Sequence, residues 1–409
     1  MLFFVPIWVG VAVGPFLSAV TIVTLLAMAT TSRSIELTAA DALMAVLVFL
    51  LIGQYALKLT SLPSMFVAMT DWVLPFIWGR LILTRVHSGF LAVVLAAAAT
   101  IAGTLAVIEG LTGENPFVGI SVGSPTLHAQ WGTLQERGGS IRAEGAFGHS
   151  IALGATLAMM SAFVLACRWR LWAKLASLVI IVAAVTLTLS RIGLVTLVIT
   201  IALSLIVLPT LSRRAKWFIL LAGLIAAVLV VPLLSDIFLS AGREAGGSAD
   251  YRWDLFALFP LIPWFGSAAD FSGLTVDGQY FGNFATSVDN AVLVAALRAG
   301  LVPAVILILI IVLAIVPAFR QRSTNAASIA VAGQVPGLFA VAFITQYATV
   351  FWFVVGLAVA GEVARRQAER ASNAATLGEA VMRTADFAPT GPLIRFRRLA
   401  SERSSGGEG

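Results

Sequence analysis

Ten apolar runs of this chain are of bilayer-spanning length: 39–57, 64–84, 89–109, 147–167, 172–189, 192–210, 216–234, 291–318, 329–345 and 346–361. In hydrocarbon a single such run can satisfy its own backbone N–H and C=O groups only as a helix. Residues 2–30 add either one long span kinked at Pro15 or two short spans meeting at "VGP". The sequence therefore predicts an all-α polytopic membrane protein of 11–12 transmembrane helices. Composition agrees, with 59% hydrophobic residues and 11% charged, too few charges to coat a water-soluble core. The N-terminus is apolar but lacks a basic n-region and a small-residue cleavage site, so it reads as a retained first span.

Orientation follows from short basic loops. "CRWRLWAK" (Arg168, Arg170, Lys174), "SRRAK" (Arg213, Arg214, Lys216) and "FRQR" (Arg320, Arg322) belong on the cytoplasmic side. The formal charge of +6 sits in such loops and in the tail, which gives no basis for a nucleic-acid partner. The single cysteine, Cys167, excludes an intrachain disulfide. The three histidines, His87, His128 and His149, lack metal-ligand spacing, and neither a P-loop nor a dinucleotide fingerprint is present. No metal or cofactor is expected.

Two segments between the basic loops are large, about 110–146 and 235–290, and both are predicted to face outward. In the second, helix-capable stretches such as "YRWDLF" alternate with glycine-rich turns, the pattern of a folded helical extracytoplasmic cap. Residues 1–361 form the membrane domain, and 362–409, rich in Arg, Ala, Ser and Gly, form a cytoplasmic tail, expected to be a helix end followed by disorder.

Charged residues placed against the topology mark candidate sites. Residues 172–210 as one helix would extend about 58 Å against a hydrocarbon core of about 30 Å, so the chain must reverse near Ser190. Arg191 then lies at the outer interface, against the charge bias, as a cap for the turn, a lipid contact or a substrate ligand. In "IRAEGAFGHSIALG", a helix starting near Arg142 would put Arg142, Gly145 and His149 on one face, able to receive a phosphate; snorkelling and helix-to-helix hydrogen bonding are the structural alternatives. Arg243, Asp250, Arg252 and Asp254 fall in the expected cap, where they are either functional or a solvated face. Asp289 and Asn290 open the 291–318 span, where Asp289 is an N-cap or a general base. Arg298, about 12 Å further along that helix, would enter the hydrophobic layer.

The ordered set "RAEGAFGHSIALG", "LSRIGL", "YRWDLF...PWFG" and "DNAVLVAALRAGL" resembles the O-antigen ligase and polymerase-like family of polytopic glycosyltransferases over about residues 140–305. The resemblance implies metal-independent, inverting glycosyl transfer at the outer face of the bacterial cytoplasmic membrane. The donor would be an oligosaccharide on undecaprenyl pyrophosphate. Arg191 matches the family arginine of the "SR.G" turn and Arg252 the one before the aromatic of the large loop; both would hold the pyrophosphate. Arg142 would support them, with His149, Arg243 and Asn290 as further substrate contacts. Ligases of the family carry His-Asn where this chain has Asp289 and Asn290. That departure moves the expectation from an O-antigen ligase toward a polymerase of a capsule, exopolysaccharide or repeat-unit glycan, with Asp289 as the base. Membrane lipid and chain-length or export proteins are the expected partners. The rival class is a lipid-linked oligosaccharide flippase, whose arginines would line a path.

Overall fold

The computed structural model describes residues 2–31, 35–137, 139–240, 255–268, 274–276, 279–282, 288–320 and 325–386. These are mostly helical. In chain order the helices are α1 (Ala19–Ala29), α2 (Ala39–Ala56), α3 (Leu62–Ile82), α4 (Ser88–Thr112), α5 (Pro125–Trp131), α6 (Ser150–Ala166), α7 (Leu171–Leu187), α8 (Arg191–Val207), α9 (Arg213–Ser240), α10 (Ala291–Ala299), α11 (Leu301–Phe319), α12 (Ala326–Gly333), α13 (Val335–Leu338) and α14 (Thr345–Asp386). Among the described residues, α2, α3, α4, α11 and α14 are long and apolar enough to cross a membrane, and α1, α6, α7 and α8 are shorter apolar helices. Residues 1–363 form one compact unit, which holds all that follows; 364–409 form a second, in which helix is described to Asp386.

Three stretches depart from the predicted spans, each where a proline or glycine intervenes. The "VGP" sequence is a hairpin turn: Gly14 has φ +76°, and Gly10–Ala12 pairs antiparallel with Phe16–Ser18. The helix after it, α1, has 11 residues, about 16 Å, and falls short of the bilayer core. The run 291–318 is interrupted at Gly300, whose φ of +94° and ψ of 166° end α10 and start α11. A Cβ at that position would lie 2.7 Å from Phe265 Cα and Trp264 O, so glycine is required for the approach of the 263–268 segment. That segment satisfies the groups freed by the break: Leu301 N donates to Pro263 O (2.9 Å) and Ala268 N to Leu297 O (2.8 Å). The run 329–345 is likewise discontinuous, divided into α12 and α13 just before Pro336.

Helix α6 is buried on all sides and packs against α4, α7, α8 and α12. Lipid gives no hydrophobic drive between helices, so small residues set their close crossings. Gly154 of α6 meets Gly193 of α8, where a Cβ on either would touch the other's backbone within 3.7 Å. Gly79 of α3 faces Gly356 of α14 still more closely, and a Cβ on either would come to 2.1 Å from the opposite carbonyl.

The two ends of the bundle differ. At one, the basic residues tie helices together: Arg80 forms a two-pronged pair with Asp41 (2.7 and 2.8 Å) and also donates to Glu36 O. Lys174 Nζ donates to the α6 carbonyl of Leu165 (2.6 Å), and Arg320 pairs with Glu362. The other end carries residues 110–149, the 187–191 turn and the start of α14.

Candidate functional site

The reversal predicted near Ser190 is present. Helix α7 ends at Leu187 and α8 begins at Arg191, with Ser190 as its N-cap accepting from Gly193 N (3.1 Å). Leu189 takes a positive φ of 50°, which costs a β-carbon-bearing residue about 1–3 kcal/mol and persists only where neighbours hold it. They do so here: Arg142 Nε donates to Thr188 O (2.9 Å), Arg137 Nη1 to Leu189 O (2.9 Å) and Ala143 N to Leu187 O (3.0 Å). Two cations thus neutralise the carbonyl end of α7, where the helix dipole is negative. Arg191, the first residue of α8, is exposed on the surface of this turn.

Arg142, Gly145 and His149 do not share a helix face. Arg142 lies in an irregular segment, Gly145 and Gly148 have φ of +55° and +59°, and α6 starts only at Ser150. The reason is Glu109 at the end of α4. Its carboxylate accepts from Glu144 N (3.0 Å), Gly145 N (2.8 Å) and Asn115 Nδ2 (2.8 Å), withdrawing those amides from any helix. His149 serves as the N-cap of α6, with Nδ1 accepting from Ile151 N (3.2 Å) and its ring edge-on to Trp131 at 5.8 Å. Burial, assisted by the positive charge of Arg142, lowers the His149 ring to about 3, so it contributes no cation at neutral pH.

Glu144 is fully buried; Oε1 accepts from Gln135 N (3.0 Å), and Oε2 has no hydrogen-bond partner within the protein. Burial, with a smaller contribution from the charge of Glu109, raises its carboxyl from 4.5 to about 8. The native protein therefore retains a proton on Glu144 that the unfolded chain releases above pH 4.5, and stability falls as pH rises to about 8. His149 acts in the opposite direction: the unfolded chain takes up a proton below 6.5 that the native ring accepts only near 3, so stability falls as pH drops through that range. Of these two groups, the slopes cancel between 4.5 and 6.5, and above 6.5 only that of Glu144 remains. Between pH 6.5 and 8 the expected loss is about 2 kcal/mol, at about 1.4 kcal/mol per pH unit. Thermal unfolding in detergent should show the melting temperature declining over this range in wild type and declining less in Glu144→Gln. An equal decline in the variant would exclude Glu144 as its source.

At the start of α10 the N-cap is Asn290, not Asp289. Asn290 Oδ1 accepts from Leu293 N (2.9 Å), and Asp289 precedes the cap as an exposed residue. Arg298 is not carried into the hydrophobic layer along a continuous helix. It stands in the last turn of α10, next to the Gly300 break, and lines a cavity of about 590 Å³. Asp71, on a π-helical turn of α3 (Met69–Val73), lines the same cavity and interacts electrostatically with Arg298. Pi-helical turns concentrate at functional sites. The remaining wall comes from the N-terminal hairpin, α5 and the start of α14.

Trp131 and Gln346 connect this cavity to the arginine-bearing region. Trp131 lines the cavity and contacts His149; Gln346 lines it and donates from Nε2 to Ala146 O and Val5 O, both at 2.8 Å. The structure thus gathers Arg142, His149 and Arg191 at one end of the bundle. Arg243 and Arg252, with Asp250 and Asp254, lie outside the described residues. Within the expected cap the described residues are the end of α9 to Ser240, a 3-10 turn, Leu255–Leu261, with the 262–268 segment that meets the Gly300 break, the antiparallel pair of Leu274–Val276 with Gln279–Gly282, and 288–290. Among the described residues no cluster of three His, Cys, Asp or Glu side chains forms a metal site. Glu109, Glu144 and Asp71 were not singled out by the sequence reading, although each is an isolated acid within or beside an apolar run, the same signal that Arg191 gives. Comparison with family models, curated proteins and solved structures finds no match to this chain.

Proposed function

We propose that this protein is a metal-independent, inverting glycosyltransferase that polymerises lipid-pyrophosphate-linked oligosaccharide repeat units at the outer face of the bacterial cytoplasmic membrane. In this reading the chain is a multi-pass membrane protein, with residues 235–290 capping the outer side. The observation that supports it best is the junction just described: a turn carrying Arg191, locked by Arg142 and Arg137, joined through 131–149 to a mostly apolar cavity with one carboxylate and one guanidinium. An amphipathic substrate needs both halves, a cationic surface for phosphate and an enclosed space for the attached group.

The chemistry follows from those groups. An acceptor hydroxyl oxygen attacks the anomeric carbon from the face opposite the lipid pyrophosphate. The new C–O bond forms as the bond to the leaving oxygen breaks, and its electron pair departs with the pyrophosphate. The hydroxyl proton passes to the Asp289 carboxylate. Arginines offset the leaving group's negative charge by charge-assisted hydrogen bonds.

The test is transfer by purified protein given a lipid-pyrophosphate-linked oligosaccharide with EDTA present, read as a product ladder on a gel. A ladder of several repeat units is expected, and a single addition to a separate acceptor would mean a ligase. The broken helices α10 and α11, with a charged pair beside the break, also suit a transporter. Movement of the donor across vesicle membranes without transfer would establish that flippase reading and overturn the enzyme.

A further inference from the structure

The cavity between α3, α10 and α14 has its own chemistry, distinct from that of the arginine-bearing turn. Its volume of about 590 Å³ falls in the range of small-ligand pockets, about 300–1,000 Å³. Asp71 and Arg298 are its only charged lining residues among those described, so the wall is formally neutral. A pyrophosphate, carrying two or more negative charges, would meet the Asp71 carboxylate with a single guanidinium to offset it. The other polar groups are hydroxyls and amides, including Thr70, Gln130 and Thr349, and Trp131 supplies an aromatic surface.

Two wall residues are fixed by the protein itself. Gln346 uses both its amide hydrogens on the carbonyls of Val5 and Ala146, which fixes the amide orientation and turns Oε1 the other way. That Oε1 is buried and has no hydrogen-bond partner within the protein, and neither does the buried Oγ1 of Thr345. Thr345 is β-branched with φ +47°, a strained conformation of the kind that collects at binding sites. Both atoms are enclosed by the protein, so they belong to the structure of the wall and are not offered to a ligand.

From this we infer that the cavity is a subsite for the neutral, hydroxyl-rich sugar part of the substrate, held by Asp71 and Arg298, while phosphate is held outside it. The assignment rests on the glycosyl-transfer reading for its ligand class. Asp71 gives a carboxylate to accept from adjacent sugar hydroxyls and Arg298 a guanidinium to donate to ring or hydroxyl oxygens. Trp131 gives the apolar face of the ring a surface to pack against.

The experiment uses the full chain in nanodiscs, with Cys167→Ser and Thr349→Cys, and follows labelling of Cys at the cavity wall by a small maleimide. The probes are octyl glycosides of neutral disaccharides, a sugar-free octyl oligo-oxyethylene detergent and inorganic pyrophosphate. The glycosides should protect, and Asp71→Asn should raise the half-protecting concentration tenfold or more. Protection by pyrophosphate but not the glycosides, equal protection by the sugar-free detergent, or protection by none would each overturn the subsite. Transfer of the lipid-linked donor is measured on the same preparation. Turnover without protection removes only the cavity assignment, and protection without turnover removes only the transfer reaction.

Discussion

Arg191→Ala is expected to lower glycan transfer by about 10²–10³-fold, the usual effect of losing one donor to a developing negative charge, with the protein still inserted. The hydrogen bonds that build the turn come from other residues. The helix start depends on Ser190, whose Oγ accepts from Gly193 N, and the strained turn depends on Arg142 and Arg137, which donate to the carbonyls of Thr188 and Leu189. Arg191 is exposed at the first position of α8, where alanine is an excellent helix former. Arg191→Lys should restore only part of the rate, because a single ammonium replaces a two-pronged planar group. Arg142→Ala should differ: it uncaps a buried helix end and should reduce stability together with activity. Normal product ladders from Arg191→Ala would remove that residue from the mechanism.

The turn at Ser190 was legible because it followed from a length: no apolar helix of 39 residues fits one bilayer crossing. Other apolar runs were legible as helices from their length, and the expected helices fail where a single residue decides the backbone. "VGP" reads equally as a kink between helices and as a hairpin, and the contact of Trp8 Nε1 with Ile120 O (2.6 Å) that ties the hairpin down comes from a residue 112 positions away. Gly300 lies inside a uniformly apolar run, and its break is stabilised by residues 263–268, which hydropathy does not connect to it. The helix proposed for Arg142 to His149 gives way to Glu109, another partner distant in sequence. What periodicity cannot report is which lone acid turns toward which backbone amide, and this end of the molecule is built from such contacts.

Asp289→Asn should lower the maximal rate by about 10²–10⁴-fold, the contribution of a positioned proton acceptor, and leave donor binding intact. Loss of the helix cap does not confound this substitution, since Asn290 carries it and Asp289 lies one residue before it. Asp289→Glu keeps a carboxylate at this position and should recover part of the rate. Asp71→Asn provides the contrast: a group that holds the sugar in both ground and transition states should raise KM with little change in kcat, whereas a base acts on kcat. If Asp289→Asn retains wild-type turnover, the proton goes elsewhere. A kcat loss on Asp71→Asn instead would identify the cavity carboxylate as the acceptor and put the reacting hydroxyl inside the cavity.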